Sequence, residues 1–109
     1  MSKAEKKLIR KNFREACFKR DKFSCVMCPF TSAVLKDEVE LDAHHITDRN
    51  LLPNGGYVKE NGISLCEDCH LKAEIFHSTG TAYFGFSPED LYKKINSSLE
   101  LATKASERL

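Results

Sequence analysis

The sequence predicts a small α+β domain of 109 residues. Three observations carry this reading. Apolar residues recur at helical spacing in the first twenty positions and again after residue 87. Residues 39–46 alternate apolar and polar as a half-buried strand does. Two C-x-x-C pairs, Cys25/Cys28 and Cys66/Cys69, flank that strand and point to a metal. A chain this short builds only a marginal apolar core, and it has no Trp to thicken it, so a structural metal fits the size as well as the cysteines. No internal repeat, low-complexity tract or domain boundary is visible.

Residues 3–20 read as a helix whose inward face carries Ile9, Phe13, Ala16, Cys17 and Arg20. Net charge is only +1, but residues 1–22 concentrate Lys3, Lys6, Lys7, Arg10, Lys11, Arg14, Lys19, Arg20 and Lys22 against Glu5, Glu15 and Asp21. A basic arm of this kind suits a phosphate backbone; the alternative is a solvated helix face. Phe18 and Phe23 are expected to pack beside the first cysteine pair. Cys25 to Pro29 reads as a knuckle, because a tight turn lets two thiolates face one ion and Pro29 cannot continue a ladder. Residues 30–38 read as loop.

In the strand over 39–46, His44 and His45 should point to opposite faces. Residues 47–60 read as loop, with Pro53-Asn54-Gly55-Gly56 as a turn. There Arg49 either reaches a phosphate or pairs with a surface acid. Residues 62–65 form a short second strand that runs into the second knuckle. A helix then starts at 67 or 68, where acids favour its N-terminus, and ends at 76 or 77 before Gly80. Leu71 and Ile75 are expected inward. His70, Glu74 and His77 share one face at i, i+4 and i+7. Tyr83, Phe84 and Phe86 should pack on the core. Ser87-Pro88-Glu89-Asp90 opens a last helix, with Leu91, Ile95, Leu99 and Ala102 at helical spacing over 87–106.

The four paired cysteines read as one zinc site of four thiolates, closed to substrate. Cys17 is left over as a small core residue. No apolar run is long enough to span a bilayer, and no signal-peptide segment is seen. The expectation is a soluble, cytoplasmic protein of a bacterial cell or phage-infected host. Neutral imidazoles bind divalent ions and serve as general bases near neutral pH, so His44, His45 and His70 mark a candidate site.

In order, the chain carries Cys25-Val26-Met27-Cys28, Asp42-Ala43-His44-His45-Ile46, Asn61-Gly62-Ile63-Ser64-Leu65 and Cys66-Glu67-Asp68-Cys69-His70. This arrangement resembles the HNH endonucleases, also called ββα-metal or His-Me finger nucleases, over about residues 19–77. With no domain boundary in the chain, the expectation is one nuclease domain over 1–109: a basic N-terminal helix at 1–22, a zinc clamp and ββα-metal core at 23–77, and a C-terminal helix at 87–106. The resemblance implies that His45 is the general base, that Asn61 orients it, and that His44 and His70 hold a catalytic divalent ion. The family's further ligand, one helical turn on, falls on Glu74, whose carboxylate favours Mg²⁺ or Mn²⁺ over softer ions; Ni²⁺ is a further candidate. Zn²⁺ would sit on the cysteines; His77 has no role in the family pattern and reads as a helix-end residue that meets the last carbonyls rather than as a ligand. The implied reaction is hydrolysis of DNA, double-stranded by expectation, to 5′-phosphate and 3′-hydroxyl ends, with Arg10, Arg14, Arg20 and Arg49 on the backbone. Two other readings are a zinc-stabilised nucleic-acid-binding module without catalysis and a nuclease subunit that needs a partner protein. A double-strand cut would require a homodimer or two events.

Overall fold

The structure, a computed structural model, describes residues 2–28 and 40–109. Pro29, the expected loop over 30–38 and Val39 lie outside the described residues.

Helix α1 (Lys3–Arg20) begins at a reciprocal cap. The Ser2 hydroxyl accepts from the Glu5 amide while the Glu5 carboxylate accepts from the Ser2 amide, which satisfies two otherwise orphaned donors. Phe13 and Cys17 are buried on its inward face, with Ile9, Ala16 and Arg20 half-buried. The helix stops at Asp21, after which Lys22 and Phe23 take left-handed backbone angles. Phe23 is exposed and meets only the edge of this region, its ring 6.5 Å from that of Phe18, so the pair does not form the expected packed flank of the knuckle.

Strands β1 (Leu41–His45) and β2 (Gly62–Cys66) pair antiparallel, with His45 opposite Gly62 and Leu41 opposite Cys66. Every residue of β2 is buried, and among the described residues its outer edge is met by side chains and loop rather than by a third strand. Arg20 donates to the Gly62 carbonyl, the Asp21 carboxylate accepts from the Ser64 amide, and the Val26 amide donates to the Ser64 carbonyl. A buried two-stranded sheet needs such partners, because an unpaired backbone group out of water costs about as much as a lost hydrogen bond. Gly62 is what lets α1 come close: a Cβ there would lie 2.3 Å from Cys17 Sγ and 2.6 Å from Phe13 Cε1.

The connection between the strands contains three short 3-10 turns, Arg49–Leu51, Pro53–Gly56 and Lys59–Asn61. The expected turn at 53–56 is present, and Asn54, Gly55 and Gly56 all have positive φ. Helix α2 (Glu67–Thr79) follows β2 directly and ends at Gly80, whose φ of 79° closes it through a bond to the Phe76 carbonyl. Its phase differs from the expected one. Cys69 and Ala73 face inward, whereas Leu71 is 63% and Ile75 39% exposed. Cys69 must face its partner thiols, and that fixes the rotation of the whole helix.

The aromatic cluster also divides: Phe86 is buried, Phe84 is 96% exposed, and Tyr83 is nearly half exposed. The single helix expected over 87–106 is instead two, α3 (Pro88–Lys94) and α4 (Leu99–Glu107). Asn96 takes a left-handed φ of 55° between them, and Ser98 caps α4 by accepting from the Leu101 amide. Leu99, expected inward, is half exposed. The core runs from Cys25, Ile46 and Leu52 through Ile63 and Leu65 to Leu91, Tyr92 and Ala102. Among the described residues no helix is long and apolar enough to cross a membrane.

Candidate active site

The alternation of β1 sends His44 and His45 to opposite sides of the sheet, as the strand period requires. His44 is 1% exposed. Its Nδ1 lies 3.2 Å from Glu74 Oε1, yet the pair lacks the alignment of a hydrogen bond, which leaves Nδ1 buried without a hydrogen-bonding partner. Burial, reinforced by the neighbouring histidines 70, 77 and 45, lowers the His44 pKa to about 3, so the imidazole is neutral at physiological pH. His44, Glu74 and His77 each present a donor atom, and these lie within 4.8 Å of one another.

A buried neutral imidazole, a carboxylate and a second imidazole at that spacing fit a divalent ion. Two ligand atoms about 2.0–2.2 Å from one metal stand roughly 3 Å apart, which matches the nitrogen–oxygen separation observed. His77 has a further property of a ligand. Its Nε2 lies 2.9 Å from the His45 carbonyl, and a nitrogen that donates to a carbonyl leaves the other free to bind metal. The helix-end role expected for His77 is therefore not what the structure shows: it reaches back to β1. His70, expected as a ligand, lies beside this set rather than within it. Its Nδ1 is 3.1 Å from Asp42 Oδ2 and its Nε2 is 3.0 Å from Glu74 Oε1, so both nitrogens meet carboxylates.

His45 sits on the other face in a cage of rings. Phe13 of α1 stacks on it at 4.5 Å, and Tyr57 meets it edge-on at 4.7 Å. Its Nε2 is sealed from solvent without a partner, so exchange with solvent falls to Nδ1. Burial, then the charges of Arg49 and His77, lower its pKa to about 4. His45, Asp48, Arg49, Glu74 and His77 line a cavity of about 220 Å³, which brings the candidate base and two candidate ligands to one opening.

Asn61 is fully buried and does not touch the His45 ring. Its Nδ2 donates to the carbonyls of Thr47 and Gly56; its Oδ1 accepts from the Thr47 amide and the Tyr92 hydroxyl. Its own carbonyl accepts from the Ile46 amide. Because Tyr92 gives its proton to Asn61, the Thr47 hydroxyl at 2.6 Å donates to Tyr92. Asn61 thus locks the backbone immediately after His45, so it bears on the base through the main chain at Ile46 and Thr47 rather than through a contact with the ring. A Cβ on Gly56 would lie 2.9 Å from Asn61 Nδ2, so this glycine makes room for the network.

Cys25, Cys66 and Cys69 bring their sulfurs within 4.8 Å of one another in the core. Burial, with hydrogen bonds that the Cys69 thiol donates to its two neighbours, raises the Cys69 pKa well above the ordinary thiol value. Thiolates this close repel one another unless a cation balances them, and the set suits zinc. Cys28 is half-buried against the same core but is not among the three.

The four arginines separate. Arg20 forms a bidentate pair with Asp21 at 2.8 Å and donates to the Lys59 and Gly62 carbonyls, so it is committed inside the fold and is not the backbone contact expected of it. Arg14 lies over the Phe18 ring on the exposed face of α1. Arg10 and Arg49 converge on Tyr57: Arg49 donates to its hydroxyl at 2.9 Å, and Arg10 lines an adjoining cavity with it.

Residues 25–74 match the family model for HNH endonuclease. This segment is similar to the HNH endonuclease domain. HNH endonuclease domains act on nucleic acid and use divalent metals, so the match supports a nuclease-type enzyme. The match takes in the three clustered cysteines, His44, His45, Asn61, His70 and Glu74; Phe13, His77 and Tyr92 lie outside it. No curated protein and no solved structure matches the chain. Of the residues around the HNH site, sequence reasoning missed Phe13, Tyr57 and Tyr92. Phe13 and Tyr92 carried only a packing signal, and Tyr57 none beyond following Gly55-Gly56. His77 did carry one, the helical spacing from Glu74.

Proposed function

We propose that this protein is a metal-dependent endonuclease that hydrolyses DNA phosphodiester bonds. The observation that carries it is the shared cavity, where a sheltered neutral imidazole, His45, stands beside a three-donor set. His44, Glu74 and His77 would hold the catalytic divalent ion, of the Mg²⁺, Mn²⁺ or Ni²⁺ type, and His70 would orient the Glu74 carboxylate between itself and His44. When bound, such an ion supplies positive charge to the phosphate and to the leaving oxygen. His45 takes the proton from the attacking water at Nδ1, the nitrogen that is not sealed. Phe13 and Tyr57 hold the ring, and the His77 contact with the His45 carbonyl ties ligand to base. Arg49, on the rim of the cavity, and Arg10 and Arg14 along α1 form a basic surface for the phosphate backbone. A structural zinc on Cys25, Cys66 and Cys69, completed by Cys28, would fasten the knuckle to the start of α2.

Plasmid cleavage by the purified protein tests this, with and without added Mg²⁺, Mn²⁺ or Ni²⁺, beside His45→Ala. Metal-dependent loss of supercoiled DNA is expected for the natural sequence, with a fall of about a hundredfold or more in the variant. Equal cleavage by both, or none by either with any metal, sinks the mechanism.

A further inference from the structure

Two small cavities lie on either side of the Arg49–Tyr57 contact. One, of about 220 Å³, holds His45 and Arg49; the other, of about 230 Å³, is lined by Lys6, Ile9, Arg10, Asn54 and Tyr57. The Arg49–Tyr57 hydrogen bond of 2.9 Å joins them. Arg49 donates to the phenol oxygen and Arg10 lines the same cavity as the ring, so two guanidiniums flank one neutral phenol. Burial raises the Tyr57 pKa, but bonding to Arg49 and Arg10 outweighs it and holds the phenol below its ordinary value. A phenol accepts hydrogen bonds but cannot balance two positive charges; a phosphate does both, and guanidinium forks match its geometry. The Tyr57 hydroxyl, accepting from Arg49, still has its own proton to give.

We propose that Arg10, Arg49 and the Tyr57 hydroxyl form a subsite for a second phosphate of the bound strand, next along from the one beside His45. The inference rests on the nuclease reading. Tyr57 packs edge-on against His45 at 4.7 Å, so the two phosphate positions would be neighbours. Lys6, one turn before Arg10 on α1, adds charge at the far end of the same cleft. The strand would then leave the cavity at His45, cross Tyr57 and run along the basic face of the helix.

The test compares a dinucleotide, with one internal phosphate, and a trinucleotide, with two, as substrates for the natural sequence, Arg10→Ala and Tyr57→Phe. For the natural protein the second phosphate should raise kcat/KM. That gain should shrink about tenfold in Arg10→Ala and several-fold in Tyr57→Phe, which keeps the ring against His45, with the change in KM rather than kcat. An undiminished gain in both variants overturns the subsite. Oligonucleotide binding across a salt series is read in parallel and needs no cleavage. The slope of log affinity against log salt should fall by about one in Arg10→Ala/Arg49→Ala. An unchanged slope also overturns the subsite. If the slope shifts while no substrate is cut, the subsite stands and the nuclease reading falls.

Discussion

Asn61 fills its whole hydrogen-bonding capacity inside the protein, and the Tyr92 hydroxyl supplies the last of its four bonds. Tyr92→Phe leaves the Thr47 hydroxyl without its acceptor, and should lower unfolding free energy by about 1–2 kcal/mol. Urea unfolding followed by circular dichroism would measure it, and a loss below about 0.3 kcal/mol, well short of one hydrogen bond, would count against the network. His45 makes a second residue-scale prediction. Its pKa of about 4 keeps the base neutral far below the ordinary histidine value, so kcat/KM at saturating metal should hold from pH 8 to about pH 5.5. Half-loss of activity near pH 6.5 would contradict it. Stability has the corresponding sign. In the unfolded chain both histidines take up protons near pH 6.5, whereas in the fold they resist until about 3 for His44 and 4 for His45. Their contribution is complete above pH 6.5 and is lost as pH falls below it. The urea midpoint should therefore decline from pH 7 to pH 5, and a flat profile would refute the assignment.

At the level of elements, the contact between α1 and β2 depends on one missing methyl group. Gly62→Ala drives a Cβ into Cys17 and Phe13, so α1 must lift. A cost of about 3 kcal/mol is expected in thermal unfolding, at the upper end of overpacking effects. Because Phe13 stacks on His45, activity should fall further than the loss of folded protein explains; stability within 0.5 kcal/mol of the natural sequence, below the usual overpacking cost, would show that α1 is not pressed there. Local signals made some elements legible. The periodicity of α1, the histidine strand, the acids opening α2 and Gly80 closing it all stand in the sequence as the structure has them. Where the reading failed, a distant contact had overruled a local pattern. Leu71 and Ile75 have inward spacing on paper, but Cys69 turns α2 toward Cys25 and Cys66. Leu91 to Ala102 keeps helical spacing through a left-handed Asn96, because the spacing of apolar residues does not register a single backbone reversal. In the site the histidine pair was legible from its alternation on a strand. The choice of His77 over His70 was not, since both share a helix face with Glu74 and only the position of β1 separates them.

Across the whole molecule, the three clustered thiols lie where the segment after α1 meets the start of α2. One tightly held zinc per chain is expected by metal analysis. Its removal with a strong chelator should lower the melting temperature by about 10 °C or more, since the binding energy of a structural zinc is folding energy. Protein purified without zinc and equally stable would remove the clamp.

The ring that flattens against His45 comes from α1, and the hydroxyl that completes Asn61 comes from α3; both lie beyond the matched segment. The recognisable motif is therefore not a portable cassette. A protein engineer who moved residues 25–74 into another scaffold would carry every residue a motif search looks for, and leave behind an aromatic wall and a buried hydroxyl. The recipient would have to supply both before the transplanted histidine could stand as it does here.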